Sequence, residues 1–341
     1  MQSLRVVIDG RPLVGNRTGI GVHTAEIARR LPFEPPPLIA SHAWIENRDG
    51  IEHCRFEVDP FLLGVLWQQI ALPTIDGDVV WGPHGTLPAT LRKPAVVTLH
   101  DFTSITMLGR HELKTILSFN LFIGRSVENA HRIAAVSRQV ADEAIRGFAV
   151  PAAKIEIVPN GVDEFFSPGD EGGGDYILFV GTLEPRKGLD DLLAAWSSLP
   201  ARPRLVLCGD PGWRTRINSP GVEYAGFVSK ERLRELYRGA MLFVYPSRYE
   251  GFGIPPLEAM ACGAPVIATR TGAIEEYAGD AAILIAPADR DALRDAIVRL
   301  MGDRPLREDL RARGPLRASR YRWDASAQTM AALLLEAAQC G

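Results

Sequence analysis

The chain has no paired cysteine spacing. Cys54, Cys208, Cys262 and Cys340 stand far apart in its 341 residues, which excludes a zinc knuckle or a disulfide framework and fits a reducing cytoplasm. No apolar run approaches the length of a membrane span. The opening MQSLRVVIDGRP enters a strand directly and lacks a basic-then-apolar leader. No Lys/Arg block stands out and the net charge is −3, so nucleic acid is not an expected partner. No repeat of solenoid period is visible. A complete dinucleotide fingerprint is also missing. Thr24 stands where Gly19-Ile20-Gly21 would need a third small residue, and no strand-ending acid follows about 20 residues on. That weakens the alternative of a Rossmann-type oxidoreductase.

What is present is an ordinary globular composition, 46% apolar and 23% charged. The length suggests two domains of roughly 150 residues. Short Val/Ile/Leu-rich runs alternate with helical patterns, the signature of parallel sheets with crossover helices. Strands are predicted at Arg5–Ile8, Leu38–Ala40, Val79–Trp81, Ala95–Leu99, Arg132–Ala135 and Lys154–Val158. In the second half they fall at Tyr176–Val180, Arg204–Cys208, Val222–Tyr224, Met241–Tyr245, Val266–Ala268 and Ala282–Ile285. The glycine-rich acidic stretch Phe165–Gly174 reads as a linker. This gives domains at 1–165 and 175–321, a linker at 166–174 and a final helix in 322–341. The apolar stretches 59–73 and 113–123 read as buried helices. Neither carries the basic face of an interfacial helix, so membrane contact is at most peripheral.

Two segments carry the chemistry. The run Met241–Ser247 leads into Tyr249-Glu250-Gly251-Phe252-Gly253-Ile254-Pro255-Pro256-Leu257-Glu258, a strand, a turn and a helix start. With Pro256 as the first helical residue, Glu258 falls in the first turn, beside free N–H groups and the positive end of the helix dipole. Such an N-terminus binds phosphate, and flanking carboxylates suit hydroxyl-rich ligands. By the bland alternative both glutamates merely complement the dipole. The second segment runs from strand Tyr176–Val180 through Gly181-Thr182-Leu183-Glu184-Pro185-Arg186-Lys187-Gly188 into an amphipathic helix. Arg186 can fork two phosphate oxygens and Lys187 adds a point charge. In the first half, Gly19 and Gly21 offer, after a strand, a loop whose backbone can approach a diphosphate, and His100-Asp101 and His84 sit at strand ends. Asp76-Gly77-Asp78 precedes its strand and reads as a turn rather than a metal pair.

Together GTLEPRKG and EGFGIPPLE resemble the donor-binding half of the retaining glycosyltransferases of family 4. The family's Glu-x7-Glu pattern is met at Glu250 and Glu258, and VPNGVD, GFVSKERLRELYRGA and GAPVIATRTGAIEEYAGDAAILIAP follow the family order. The resemblance implies an α/β GT-B fold, two Rossmann-like doubly wound domains facing across a deep cleft, with the last helix crossing back to the first domain. It further implies a nucleoside diphosphate sugar donor, UDP- or GDP-linked, and a hydroxyl acceptor in polysaccharide or antibiotic biosynthesis, with no metal and no cofactor. Donor contacts are implied at Gly19, Gly21, Gly181, Thr182, Arg186, Lys187, Phe227, Val228, Glu250, Gly251, Phe252, Gly253, Ile254 and Glu258. His100 would reach the donor sugar, Asp101 and His84 would lie on the acceptor side, and Glu250, His100, Lys187 and Arg186 would carry the reaction. A non-catalytic nucleotide-sugar-binding protein remains the alternative.

Overall fold

The computed structural model describes all residues except 1, 16, 18, 47, 61, 63, 104–112, 170–172, 212–219 and 341, with only the backbone of 2 and 113–120. It comprises two compact units, Met1–Gly161 with Trp323–Gly341, and Val162–Arg322.

The first unit holds a seven-stranded sheet in the order Arg55–Val58, Leu38–Ser41, Val6–Asp9, Val79–Gly82, Ala95–Leu99, Arg132–Ala135, Ile155–Ile157. Every pairing is parallel. Such a sheet is covered on both faces, which is why its central strands are continuous apolar runs rather than alternating ones. The strand order reverses between Val6–Asp9 and Val79–Gly82. At such a switch point two neighbouring loops diverge to opposite faces and leave a crevice for ligands. Helix Trp323–Gln339 completes this unit's core. Its Trp323, Met330, Leu333 and Leu334 pack in one cluster with Ile8, Ile27 and Trp81, each fully buried side chain stabilising by about 1.5–3 kcal/mol.

The second unit repeats the plan with six parallel strands. Their order is Val222–Gly226, Arg204–Cys208, Tyr176–Val180, Leu242–Tyr245, Val266–Thr269, Ile283–Ile285. Here the reversal falls between Tyr176–Val180 and Leu242–Tyr245, so the two charged segments of the sequence follow the two strands that flank it.

Three readings change. Strand Arg55–Val58 escaped the sequence because it is an edge strand of alternating exposure with two charges. The start of the predicted linker is anchored to the second unit. Phe166 is buried against Tyr237, and Arg238 donates to the Ser167 carbonyl at 2.7 Å. The break between units therefore falls at Gly161/Val162; residues 170–172 of that stretch lie outside the described residues. Within 59–73, helix Gly64–Ile70 buries Trp67 and Gln68 but leaves Leu66 and Ile70 exposed. Most side chains of 113–123 lie outside the described residues. No described helix is long and apolar enough to cross a membrane.

Candidate active site

In the second unit, strand Tyr176–Val180 ends at Gly181-Thr182, and Pro185–Lys187 forms one turn of 3-10 helix before helix Leu189–Ser197. Gly188 joins the two turns with φ +71°. Strand Leu242–Tyr245 ends beside it, and the Arg248 N–H donates to the Arg186 carbonyl at 2.8 Å. The two loops are thus held as one surface. Asp191, buried in the first turn of the helix, reinforces this by accepting from Arg248 at 2.8 Å and Arg290 at 2.7 Å.

The cations and the first glutamate converge. Lys187 Nζ donates to Glu250 Oε1 at 2.6 Å and to the Tyr245 hydroxyl at 2.8 Å. Tyr245 and Ser247 hydroxyls donate to the same Oε1 at 3.0 and 2.6 Å, and Arg186 lies 3.6 Å from it. Glu250 Oε2 accepts no hydrogen bond from any described residue, so one oxygen is anchored and the other is not. Burial pushes the Glu250 carboxyl up, but Lys187 and Arg186 overcome it and hold the group below its ordinary value. The same burial, with Arg186 beside it, lowers the Lys187 ammonium against the pull of Glu250. Tyr245, Ser247 and Thr271, whose hydroxyl accepts from the Glu250 N–H at 3.0 Å, were not singled out in the sequence. They read there as ordinary strand and loop residues.

The second glutamate sits differently from its sequence reading. Helix Ile254–Ala261 begins at Ile254, so Pro255 and Pro256 are its second and third residues and Glu258 its fifth, beyond the first turn. The prolines also remove two N–H donors from the helix end, leaving few amides there for an anion. Glu258 accepts from the Tyr237 hydroxyl at 3.0 Å through Oε2. Burial raises its pKa to about 7, against that hydrogen bond and Lys230. A folded-state value above the ordinary 4.5 means that ionised Glu258 costs stability, nothing below about pH 4.5 and in full above about pH 7. Glu258→Gln keeps an acceptor for Tyr237. Its thermal midpoint should therefore rise relative to the parent between pH 5 and pH 8; parallel curves for the two proteins would refute the burial cost.

Other expected donor residues divide. Gly181, Thr182 and Ile254 lie at the strand ends or the helix start, and exposed Phe227 and half-buried Val228 follow strand Val222–Gly226. Phe252, however, is buried against Tyr277 at 5.4 Å and Tyr321 at 6.3 Å, so its ring packs the loop rather than meeting a ligand. Gly251 and Gly253 are also buried, their carbonyls accepting from the Ala273 N–H and the Tyr277 hydroxyl.

In the first unit, Gly19 and Gly21 are not loop residues. They open helix Gly19–Ala28, and a Cβ on Gly21 would lie 2.5 Å from the Pro12 carbonyl oxygen. Close packing of the helix start explains that glycine. At the switch point, buried Asp9 is paired with Arg11 at 2.7 Å and bonded to Gln68 at 3.0 Å. His84 is exposed beyond strand Val79–Gly82. One strand over, His100 Nε2 donates to the Pro83 carbonyl at 2.8 Å. Since a carbonyl only accepts, Nε2 carries the proton and Nδ1 a lone pair. Burial drives the His100 pKa to about 4 despite the Pro83 carbonyl, so the ring is neutral near pH 7. Asp101 accepts from the Thr103 N–H and hydroxyl at 3.0 and 2.6 Å, shaping the loop. Asp76 and Asp78 are both paired with Arg5. No group of three metal-ligating side chains occurs among the described residues.

Comparison with known proteins defines the class. The model for glycosyl transferases group 1 matches residues 163–317, and the model for Glycosyltransferase Family 4 matches 17–164. The O-antigen chain mannosyltransferase B of Escherichia coli is 29% identical, with 94% of this chain and 97% of that protein covered. Sucrose-phosphate synthase from Thermosynechococcus elongatus has the same fold, at TM-score 0.80 and 20% identity over 100% of both chains. HepE from Anabaena, solved with UDP-glucose, gives TM-score 0.79 and 18% identity over 97% of this chain and 99% of that one. Two doubly wound parallel units with this pair of matches make the protein a glycosyltransferase of GT-B fold. It belongs to the family 4 glycosyltransferases.

Proposed function

We propose that the protein transfers a sugar from a UDP- or GDP-sugar to a hydroxyl acceptor with retention of configuration and without a metal, in polysaccharide synthesis. The observation that carries this reading is the junction of Lys187, Arg186 and Glu250 at the second unit's switch point. Two cations on one loop suit a diphosphate whose negative charge grows as it leaves, the charge a transition state most needs offset. Glu250 Oε2 is the acceptor left open for a sugar hydroxyl, while Oε1 is locked by three donors. Glu258, with one oxygen on Tyr237, offers the other to the ribose. The similarity to an O-antigen mannosyltransferase favours polysaccharide over antibiotic synthesis, and HepE, a neighbour in fold, was solved with UDP-glucose.

Calorimetry with UDP and GDP, beside initial rates with matching donor sugars, tests the assignment. Glu250→Gln should leave nucleotide affinity within a few-fold while turnover falls about 100-fold, since its contact orients the reacting sugar. Glu258→Gln should weaken nucleotide and donor alike, and EDTA should change neither binding nor rate. Equal loss of nucleotide affinity in both variants would end the division of labour. An EDTA loss restored by Mg²⁺ would end the metal-free mechanism.

A further inference from the structure

We propose that His23 is a positioning residue for His100, holding that imidazole in the plane from which its Nε2–H reaches the Pro83 carbonyl. The inference rests on the reading that His100 meets the sugar. His23 projects from helix Gly19–Ala28 and is wholly buried. Its Nδ1 is 2.6 Å from the Asn160 side-chain oxygen. That oxygen accepts, so His23 carries its proton on Nδ1, and its buried Nε2 has no hydrogen-bond partner. A polar ring nitrogen left unsatisfied in a core is costly, and an apolar side chain would fill the space without that cost. The His23 ring meets the His100 ring edge to face, with centroids 4.7 Å apart and planes at 88°. Its other ring neighbours, Trp81 and Trp323, are at 6.1 and 6.0 Å. Such edge-to-face contact is directional, because the positive ring edge prefers the negative ring face.

The support is rigid. Asn160 lies next to Pro159, whose carbonyl accepts from Ser326 of helix Trp323–Gln339 at 2.6 Å. His100 is therefore fixed through Nε2 by the Pro83 carbonyl and by the perpendicular ring of His23. Its Nδ1 lone pair stays available, as an acceptor for a hydroxyl. The titratable groups acting on His100 are Asp101 and His84 at the strand ends, with His23 the one packed against its ring. A charged His23 is disfavoured by burial and by His100, so the support stays neutral as pH falls.

The test uses the full chain with ¹⁵N-labelled histidine. In the parent, His100 should show one tautomer, protonated at Nε2. His23→Leu should give a mixture of tautomers, move the acid limb of the kcat profile, and lower kcat about 10-fold, with nucleotide affinity unchanged. Asn160→Ala, which frees His23 without removing its ring, should act in the same direction and serves if the first variant does not fold. An unchanged His100 signal and pH profile in the folded variants would overturn the proposal, whatever happens to kcat. If His100→Ala leaves kcat intact, the sugar contact of His100 has failed, and the ¹⁵N signal still decides the role of His23.

Discussion

Lys187→Ala should lower turnover roughly 10–150-fold and destabilise the second unit together. On the proposed function, the first loss is that of a charge-assisted bond to phosphate, typically about 1.5–3 kcal/mol. The second follows from the buried pair. Lys187 and Glu250 side chains are 12% and 8% exposed, and removing one partner of such a pair typically costs about 3–5 kcal/mol because the other charge is stranded. Arg186, 3.6 Å from Glu250 Oε1, remains and places the expectation at the low end. With about 2–4 °C per kcal/mol for a unit of this size, the midpoint should fall by about 6–12 °C. The pH dependence carries a definite sign. Glu250 titrates below its ordinary value in the parent, so its pairing contributes stability above the unfolded pKa and loses it as pH falls through the folded one. The deficit of Lys187→Ala should therefore be largest near neutrality and shrink in acid as Glu250 takes a proton. Differential scanning calorimetry across pH checks this; a constant deficit would mean that the pair is not the cause.

Gly188→Ala should be comparably harmful through the backbone alone. Its φ of +71° is left-handed, and a Cβ there would stand 2.0 Å from the Pro246 carbonyl oxygen. The conformation costs about 1–2 kcal/mol for a side chain, and forcing the loops apart a further ~1–3. A midpoint drop of about 4–20 °C follows, with loss of nucleotide binding because the loop after Tyr176–Val180 can no longer lie against the loop after Leu242–Tyr245. Gly147→Ala, inside helix Arg138–Phe148 with nothing within 4 Å of its Cβ, is the control and should be neutral or stabilising by up to about 1 kcal/mol. Equal effects from both substitutions would show that the clash at Pro246 relaxes freely.

The central strands were legible because burial on both faces demands long apolar runs, and Ala95–Leu99 or Tyr176–Val180 have no other reading. The edge strand Arg55–Val58 was not, since it meets water on alternate residues and looks like loop. At the site, Arg186, Lys187 and Glu250 were legible as charges at strand ends. What escaped were residues whose role lies in whom they touch: Tyr245, Ser247 and Thr271 gathered on Glu250, and Asn160 on the His23 ring that meets His100. Glycines misled in the other direction. Gly21 is small because a helix start lies on the Pro12 carbonyl, a packing demand that no local pattern announces. Phe252 misled likewise, because exposed and buried aromatics look alike in a motif.

The two prolines of helix Ile254–Ala261 have a consequence for how this site can change. Many phosphate sites depend on helix amides, so their affinity is written into the backbone and cannot drift without refolding a turn. Here two of those amides are missing, and on the proposed reading the ligand's charge falls to Arg186 and Lys187, on another stretch of chain. Scaffold and affinity are thereby separable: substitution at two side chains can tune the grip on the leaving group while the helix that frames it stays as it is.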